Sequence, residues 1–301
     1  MSRSQFVIGM SNLSEAQQFC RTVRLSMMNA ALNYSNLTLV VRDNAMDNDL
    51  ALRNVEEFAS IPVNLAVIYH IDERFNRQLN SILLRHHIPV IAIDIPIPLA
   101  TYFGADNRAA GNAAGEALGQ WVDKNWARQI DKVLVLTDSR LLNVVQQRLD
   151  YAIKTLGNYA GFNKQDVFYV DGETRRDVSY ERTLLVLKSW EDYHRIAIVG
   201  INDDCVLGAV EAARMLGREN DVVGVGHGAN LLDDAFAFSE SRFIGSVAYF
   251  PESYGTQVLD LAMRILNRQR IPQVNTIAHV CITRENYRLM KTAFHAGAQT
   301  A

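Results

Sequence analysis

Cysteine is scarce in this chain: Cys20, Cys205 and Cys281 are the only three in 301 residues. They are far apart, odd in number and outside any Cys-x-x-Cys spacing, and no His-x-x-x-His spacing accompanies them. A disulfide framework and a zinc site are both excluded as expectations, and no metal or cofactor is expected. No apolar run approaches the roughly 18 residues of a membrane span, so membrane insertion is not expected. Thirty basic residues against 33 acidic ones leave a net charge of −3. That balance argues against a nucleic-acid surface. There is no low-complexity tract and no repeat of solenoid type. Enzyme signatures are missing too: no Gly-x-Ser-x-Gly elbow and no Walker-type lysine. The run Gly224-Val225-Gly226-His227-Gly228 is not Gly-x-Gly-x-x-Gly, and it lies late in the chain rather than in a first βα turn. A Cys20–His227 pair is imaginable as nucleophile and base, but a small packed cysteine is the ordinary reading.

What the chain does have is alternation. Short β-branched runs read as strands at Phe6–Met10, Leu37–Val41, Leu65–Tyr69, Val90–Ile93, Val133–Leu136, Val167–Val170, Ile196–Val199 and Val222–Val225. Helical patterns lie between them, around Ala16–Leu32, Leu50–Ala59, Asn76–Arg85, Ala109–Val122, Leu142–Leu156, Tyr180–Lys188 and Val206–Leu216. Strands that are apolar nearly throughout fit parallel sheets covered on both faces. Repeated βα units predict a doubly wound α/β fold, with ligands outside the carboxyl ends of the strands. The rhythm breaks at Ile95-Pro96-Ile97-Pro98, which predicts two such sheets rather than one. A further strand-like stretch at Phe243–Pro251 is followed by a helix through Arg268 and a strand at Ala278–Thr283.

Two segments are the most specific. Tyr102-Phe103-Gly104-Ala105-Asp106-Asn107 runs from a strand into a helix carrying glycines at 111, 115 and 119. That spacing keeps them on one helical face, which predicts close approach to a sheet. Ile196–Val199 leads into Asn202-Asp203-Asp204, a polar triplet that caps the next helix, and then Leu207-Gly208-Ala209. With Ile88-Pro89-Val90-Ile91-Ala92-Ile93-Asp94, Val222-Val223-Gly224-Val225, and Pro251 followed by Gly255, the chain resembles the type I periplasmic binding proteins of the ribose- and galactose-binding kind. The effector cores of lac-repressor-type regulators share that fold. The resemblance covers nearly the whole chain. It implies two doubly wound parallel-sheet lobes with three crossings, near 104–106, 248–251 and 281–284. The lobes it implies are 1–105 plus 250–281 and 106–249 plus 282–301, closing on a ligand held between them. Such a protein binds and does not catalyse.

The resemblance also assigns ligand-binding residues. Asp94 stands where a carboxylate accepts hydrogen bonds from ligand hydroxyls, and Asn202 where an amide both donates and accepts; both types suit a polyol. Asp94 has an alternative reading as a turn residue before Pro96, and Asn202 as a helix N-cap alone. The usual arginine of the fifth helix falls near Gln147, with Arg140, Asn143 and Arg148 as neighbours. The usual aspartate after Val225 is Gly226, followed by His227. Tyr249 takes the polar position at the second crossing. Phe19 is the aromatic wall expected from the first lobe, with core packing as its alternative. Glu173 is either a cleft side chain or a solvated loop residue. Trp121, Trp126 and Trp190 fall at helix ends and read as packing, and His86-His87 reads as surface.

Two roles remain open from sequence. One is a soluble receptor that captures a sugar, sugar alcohol or related polyol for an ABC importer or sensory partner. The other is the effector domain of a regulator without its DNA-binding helices. Met1-Ser2-Arg3-Ser4 leads straight into the first strand and leaves no room for a leader. The expectation is a periplasmic protein read as a mature or trimmed chain, or else a cytoplasmic one.

Overall fold

Apolar strands and amphipathic helices sort into two compact units, residues 1–105 with 250–277 and residues 106–249 with 278–301. The computed structural model describes residues 5–61, 63–139, 143–236 and 242–290. Met1–Ser4, Arg140 and Leu142 lie outside these.

The first unit contains β1 (Phe6–Asn12), α1 (Gln18–Ala31), β2 (Leu37–Asp43), α2 (Asn48–Ser60), β3 (Leu65–Ile68), α3 (Glu73–Arg85), β4 (Val90–Ile93) and β5 (Thr101–Gly104). The chain then builds the second unit: α4 (Asn107–Trp126), β6 (Lys132–Thr137), α5 (Asn143–Leu156), β7 (Val167–Asp171), α6 (Arg176–Ser189), β8 (Ile196–Gly200), α7 (Asp203–Met215), β9 (Val222–Gly228), α8 (Leu232–Phe236) and β10 (Phe243–Ala248). It returns to the first for α9 (Pro251–Leu266) and β11 (Val274–Thr276), and ends in the second with β12 (Val280–Thr283).

Each unit carries a six-stranded sheet, in the orders β11-β5-β4-β3-β1-β2 and β12-β10-β9-β8-β6-β7. All pairs are parallel except β12 with β10. Strands β3 (LAVI) and β4 (VIAI) are buried at every position, as central strands covered on both faces must be. In both sheets the order reverses beside the first strand of the unit. In open α/β sheets a reversal of this kind marks the ligand-binding end, which falls at the carboxyl ends of β1 and β3 in one unit and of β6 and β8 in the other.

Residues 278–281, expected with the first unit, belong to the second. Val280 and Cys281 pair with Ala248 and Val247 of β10, so the edge strand carries them over. Strand β11 and helix α8 were not anticipated; three and five residues are too short for a periodic signal.

The glycine face of α4 also does something other than expected. A Cβ on Gly111 would stand 2.4 Å from the Arg148 carbonyl oxygen, and one on Gly115 would stand 2.3 Å from that of Ala152. One on Gly119 would meet the Tyr159 ring at 2.4 Å. The three glycines bring α4 against α5 and the turn after it, not against the sheet. The four-residue spacing states that a face is thin, not what lies on it. Helix α9 approaches α1 in the same way. The Gly255 N–H donates to Ser26 Oγ at 2.9 Å, and a Cβ on Gly255 would stand 2.1 Å from the Ser26 carbonyl.

Gly115→Ala tests the α4–α5 contact. Alanine favours a helix interior over glycine by about 1 kcal/mol, whereas overpacking costs typically 1–3 kcal/mol. Denaturant titration is expected to show a net loss of stability. A gain would mean that the helices part without strain.

Candidate functional site

In the first unit, polar side chains collect where β1, β3 and β4 end. Ser11 Oγ donates to Asn44 Oδ1 at 2.6 Å, and Asn44 Nδ2 donates to the Tyr69 carbonyl at 3.2 Å. Asp94 follows β4 with φ of +58°, a left-handed conformation that turns its carboxylate back over β5. There Oδ1 accepts from the Ala105 N–H at 3.1 Å and from the Tyr254 hydroxyl at 3.0 Å. Gly104, at φ +154°, leaves room for it, since a Cβ would sit 2.3 Å from the same oxygen. Tyr254 is fully buried and meets Phe19 and Phe103 edge-on, at ring-centre distances of 5.8 and 5.2 Å. The structure thus brings Phe19 and Asp94 together around Tyr254, and both stay partly exposed. Burial raises the Cys20 thiol to about 12, with the Asp94 charge adding to it. The Tyr69 hydroxyl is pushed up by burial and then by Cys20 and Asp94.

In the second unit Arg148, one residue beyond Gln147, is held at the start of α4. Its Nε and Nη2 donate to Asn107 Oδ1 at 3.0 and 2.7 Å, and Nη1 lies 3.4 Å from the Ile201 carbonyl. The guanidinium sits 4.9 Å from the centre of the Tyr249 ring. Gln147 instead accepts from Arg108 Nε at 3.3 Å. Arg148 is therefore a cation whose described partners are an amide, a carbonyl and an aromatic face. Asn202 caps α7 by accepting from the Cys205 N–H at 2.9 Å, and its Nδ2 donates to the Thr174 carbonyl at 2.9 Å. Glu173 forms a 2.5 Å ion pair with Arg182.

Behind Tyr249 lie two histidines. His279 Nε2 accepts from the Asp106 N–H at 3.0 Å, and its Nδ1 is 3.2 Å from the Ala248 carbonyl. The carbonyl can only accept, so Nδ1 carries the proton and the ring is neutral. Burial lowers its pKa further. The Tyr249 and His279 rings meet edge-on at 5.0 Å. His227, expected as a ligand contact, is only 2% exposed and lies with its ring centre 6.4 Å from that of Tyr249. Its Nδ1 donates to the Gly200 carbonyl at 2.9 Å. Burial, then the Arg148 charge, lowers its pKa to about 3. It lies behind the Tyr249 ring because β9 is buried on both faces.

Gly226 is filled from elsewhere. A Cβ there would stand 2.5 Å from Asp203 Oδ1. The Asp203 carboxyl accepts from Ser246 Oγ and from the Asn230 N–H, and burial raises its pKa to about 7. The other two thiols, Cys205 and Cys281, are also raised to about 12, by burial first.

Tyr254, Asn107 and His279 escaped sequence reasoning. Tyr254 is distant in sequence from Asp94, Asn107 reads as a helix opener, and a lone histidine carries no spacing. Trp121 and Trp126 meet edge-on at 5.1 Å, and Trp190 packs on Phe168 and Tyr193. Among the described residues no group of three or more His, Cys, Asp or Glu is arranged to hold a metal.

Asp203 and His227 set opposite pH dependences. Asp203 titrates at about 7 when folded against an ordinary 3.8. Between those values the folded chain holds a proton that the unfolded chain has released, so stability falls as pH rises. His227 titrates at about 3 when folded against 6.5, so there the unfolded chain holds the extra proton and stability falls as pH falls. Asp203→Asn is therefore expected to gain stability relative to wild type as pH rises from 4 to 7, with a slope of up to about 1.4 kcal/mol per unit. His227→Gln is expected to show the opposite slope between pH 6.5 and 3. Denaturant titrations across this range check both, and parallel curves for wild type and variants would overturn the assignment.

Comparison with known proteins places this geometry. A family model described as a periplasmic binding protein domain matches residues 8–270. No curated protein matches the chain. Among solved structures, an ABC transporter solute binding protein from Bacillus halodurans C-125 with bound myo-inositol superposes with a TM-score of 0.80 at 19% identity, covering 97% of this chain and 99% of that one. The periplasmic binding protein component of the arabinose ABC transporter from Shewanella sp. ANA-3, bound to L-arabinofuranose, gives 0.79 at 18% identity, covering 98% and 97%. The fructose binding periplasmic domain of a hybrid two component system gives 0.79 at 21%, covering 98% and 96%. At these identities the likeness to the solved structures is one of fold. With the family model matched over most of its length, the chain belongs to the periplasmic binding protein domain family.

Proposed function

We propose that this chain is a solute-binding protein whose ligand is a small polyhydroxylated molecule: a sugar, a sugar alcohol or a cyclitol. The observation that carries this is Asp94. Its carboxylate is held by a backbone N–H and the Tyr254 hydroxyl, remains partly exposed and lies beside the Phe19–Tyr254 ring pair. An ionised acceptor next to an aromatic wall suits a ring that presents hydroxyls at its edge and C–H groups on its face. In the second unit Arg148, Asn202 and Tyr249 supply donors and an aromatic ring of the same kind, with His227 and Gln147 as supporting neighbours. The three structural relatives carry myo-inositol or L-arabinofuranose, or are described as fructose binding, which agrees with this class. The proposed partner is a membrane permease or sensor protein, and the proposed place of action is the periplasm. No nucleic-acid contact and no catalysis are proposed.

A thermal-shift screen against pentoses, hexoses, furanose-forming sugars, cyclitols and glycerol tests this reading. A ligand at a hundredfold excess over its Kd stabilises the chain by about 2.7 kcal/mol. One responding class is expected, and silence across all of them would sink the proposal. Asp94→Asn keeps an oxygen for Ala105 and Tyr254 but removes the charge. It is expected to weaken binding of the responding solute about ten- to a hundredfold with the ligand-free midpoint nearly unchanged. Isothermal titration measures the affinity, and an unaltered Kd would remove Asp94 from the site.

A further inference from the structure

His279 makes two hydrogen bonds, and each ends one residue away from a support of Arg148. Its Nε2 accepts from the Asp106 N–H at 3.0 Å. The next residue, Asn107, takes Arg148 Nε and Nη2 on its Oδ1 at 3.0 and 2.7 Å. On the other side of the ring, Nδ1 donates to the Ala248 carbonyl at 3.2 Å. The next residue there, Tyr249, has its ring centre 4.9 Å from the Arg148 guanidinium carbon. Asp106 also caps α4, its Oδ1 accepting from the Arg108 and Ala109 N–H groups at 3.0 Å, so a shift at Asp106 moves the turn that carries Asn107. One imidazole sets both the amide and the aromatic face that hold the guanidinium.

What Arg148 offers a ligand depends on that hold. Of the five N–H groups of a guanidinium, those on Nε, on one side of Nη2 and on one side of Nη1 are engaged with Asn107 and the Ile201 carbonyl. One N–H on each Nη has no partner among the described residues, and the side chain is partly exposed. Both lie in the guanidinium plane, so Asn107 and Tyr249 fix where they point.

We infer that His279 is a positioning residue for the proposed solute site: its neutral ring fixes Arg148 through Asn107 and Tyr249, and a second proton on the ring loosens Arg148 and lowers solute affinity. The inference rests on the solute-binding reading, because Arg148 is where the two meet. The Asp106 N–H can only donate, so a protonated Nε2 sets two donors against each other and that hydrogen bond is lost. The ring is partly exposed, and solvent protons reach it. The groups facing it pull in both directions. Burial, the largest influence, favours the neutral ring, as does the Arg148 charge from α5; the Ala248 carbonyl and the Asp106 carboxylate favour the charged one. The balance lies below the ordinary 6.5. His227 of β9 stays neutral down to about 3, and Tyr249 meets the ring edge-on. The loss of affinity is therefore confined to acid.

Two arms test this on the full chain, and the first needs no solute. Proton–nitrogen NMR spectra of the imidazoles read the tautomer and titration of His279, and the Arg148 Nε–H resonance reads its hydrogen bond to Asn107. The Nδ1–H tautomer is expected at neutral pH, with the Arg148 signal shifting over the same interval in which His279 titrates. His279→Gln supplies an amide acceptor and donor but gains no proton, and its Arg148 signal is expected to stay put over that interval. The second arm measures, by isothermal titration from roughly pH 7.5 to 4.5, the Kd of the solute that responds in the thermal-shift screen. Wild-type Kd is expected to rise by up to about tenfold per pH unit below the His279 titration. His279→Gln is expected to bind near the wild-type affinity at neutral pH and to lose that part of the acid dependence. His279→Leu, with neither acceptor nor donor, is expected to bind about tenfold more weakly at neutral pH. Every other titrating group is common to wild type and His279→Gln, so the difference between their curves belongs to His279. An Nε2–H tautomer, an Arg148 signal blind to the His279 titration, or an acid dependence kept in full by His279→Gln would each overturn the inference. Silence in the sugar screen fails the solute reading, which the NMR arm never consults; a solute response without the NMR coupling fails this inference alone.

Discussion

One neutral imidazole organises the second unit. His279 accepts from the Asp106 N–H and donates to the Ala248 carbonyl, so a single ring connects the segments that enter α4, leave β10 and begin β12. Those three segments are far apart in sequence, and each is where the chain changes unit. The ring serves only in one tautomer: a second proton would set two donors against each other at Asp106. Burial holds it neutral. Tyr249 packs on this ring, and Arg148 lies over Tyr249. The position of Arg148 is therefore tied to the protonation of a group it never touches through a hydrogen bond.

The first unit solves the same problem by other means. Its anion, Asp94, is positioned by backbone conformation. A left-handed φ turns the residue, a glycine at 104 clears the space, and a tyrosine from α9 holds one oxygen. Helix α9 delivers that tyrosine only because Gly255 lets it sit against Ser26 of α1. A glycine one residue from Tyr254 thus acts on the carboxylate through two packing steps.

The βα alternation and the parallel sheets were legible because strand apolarity and helix caps are local signals. Asp106 and Asn202 read as caps and are caps. What was not legible depends on partners distant in sequence. The glycines of α4 announce a thin face, yet only the fold shows that Arg148 and Ala152 carbonyls fill it. Gly226 reads as a lost aspartate, while the structure shows a carboxyl in that space, supplied by Asp203 from the neighbouring strand end. Arg148 stood one residue from Gln147, and a helix turns about 100° per residue. That is enough to exchange an arginine stacked on Tyr249 for a glutamine beside Arg108.

The three cysteines carry a consequence for the chain's encounter with oxidants. Oxidation proceeds through the thiolate. Burial raises each thiol to about 12, so the folded chain presents very little thiolate at pH 7. The chain folds on packing and hydrogen bonds alone, with no disulfide to form or to mispair. In the folded chain the three thiols are thus poor targets for oxidants, and they become reactive where unfolding exposes them.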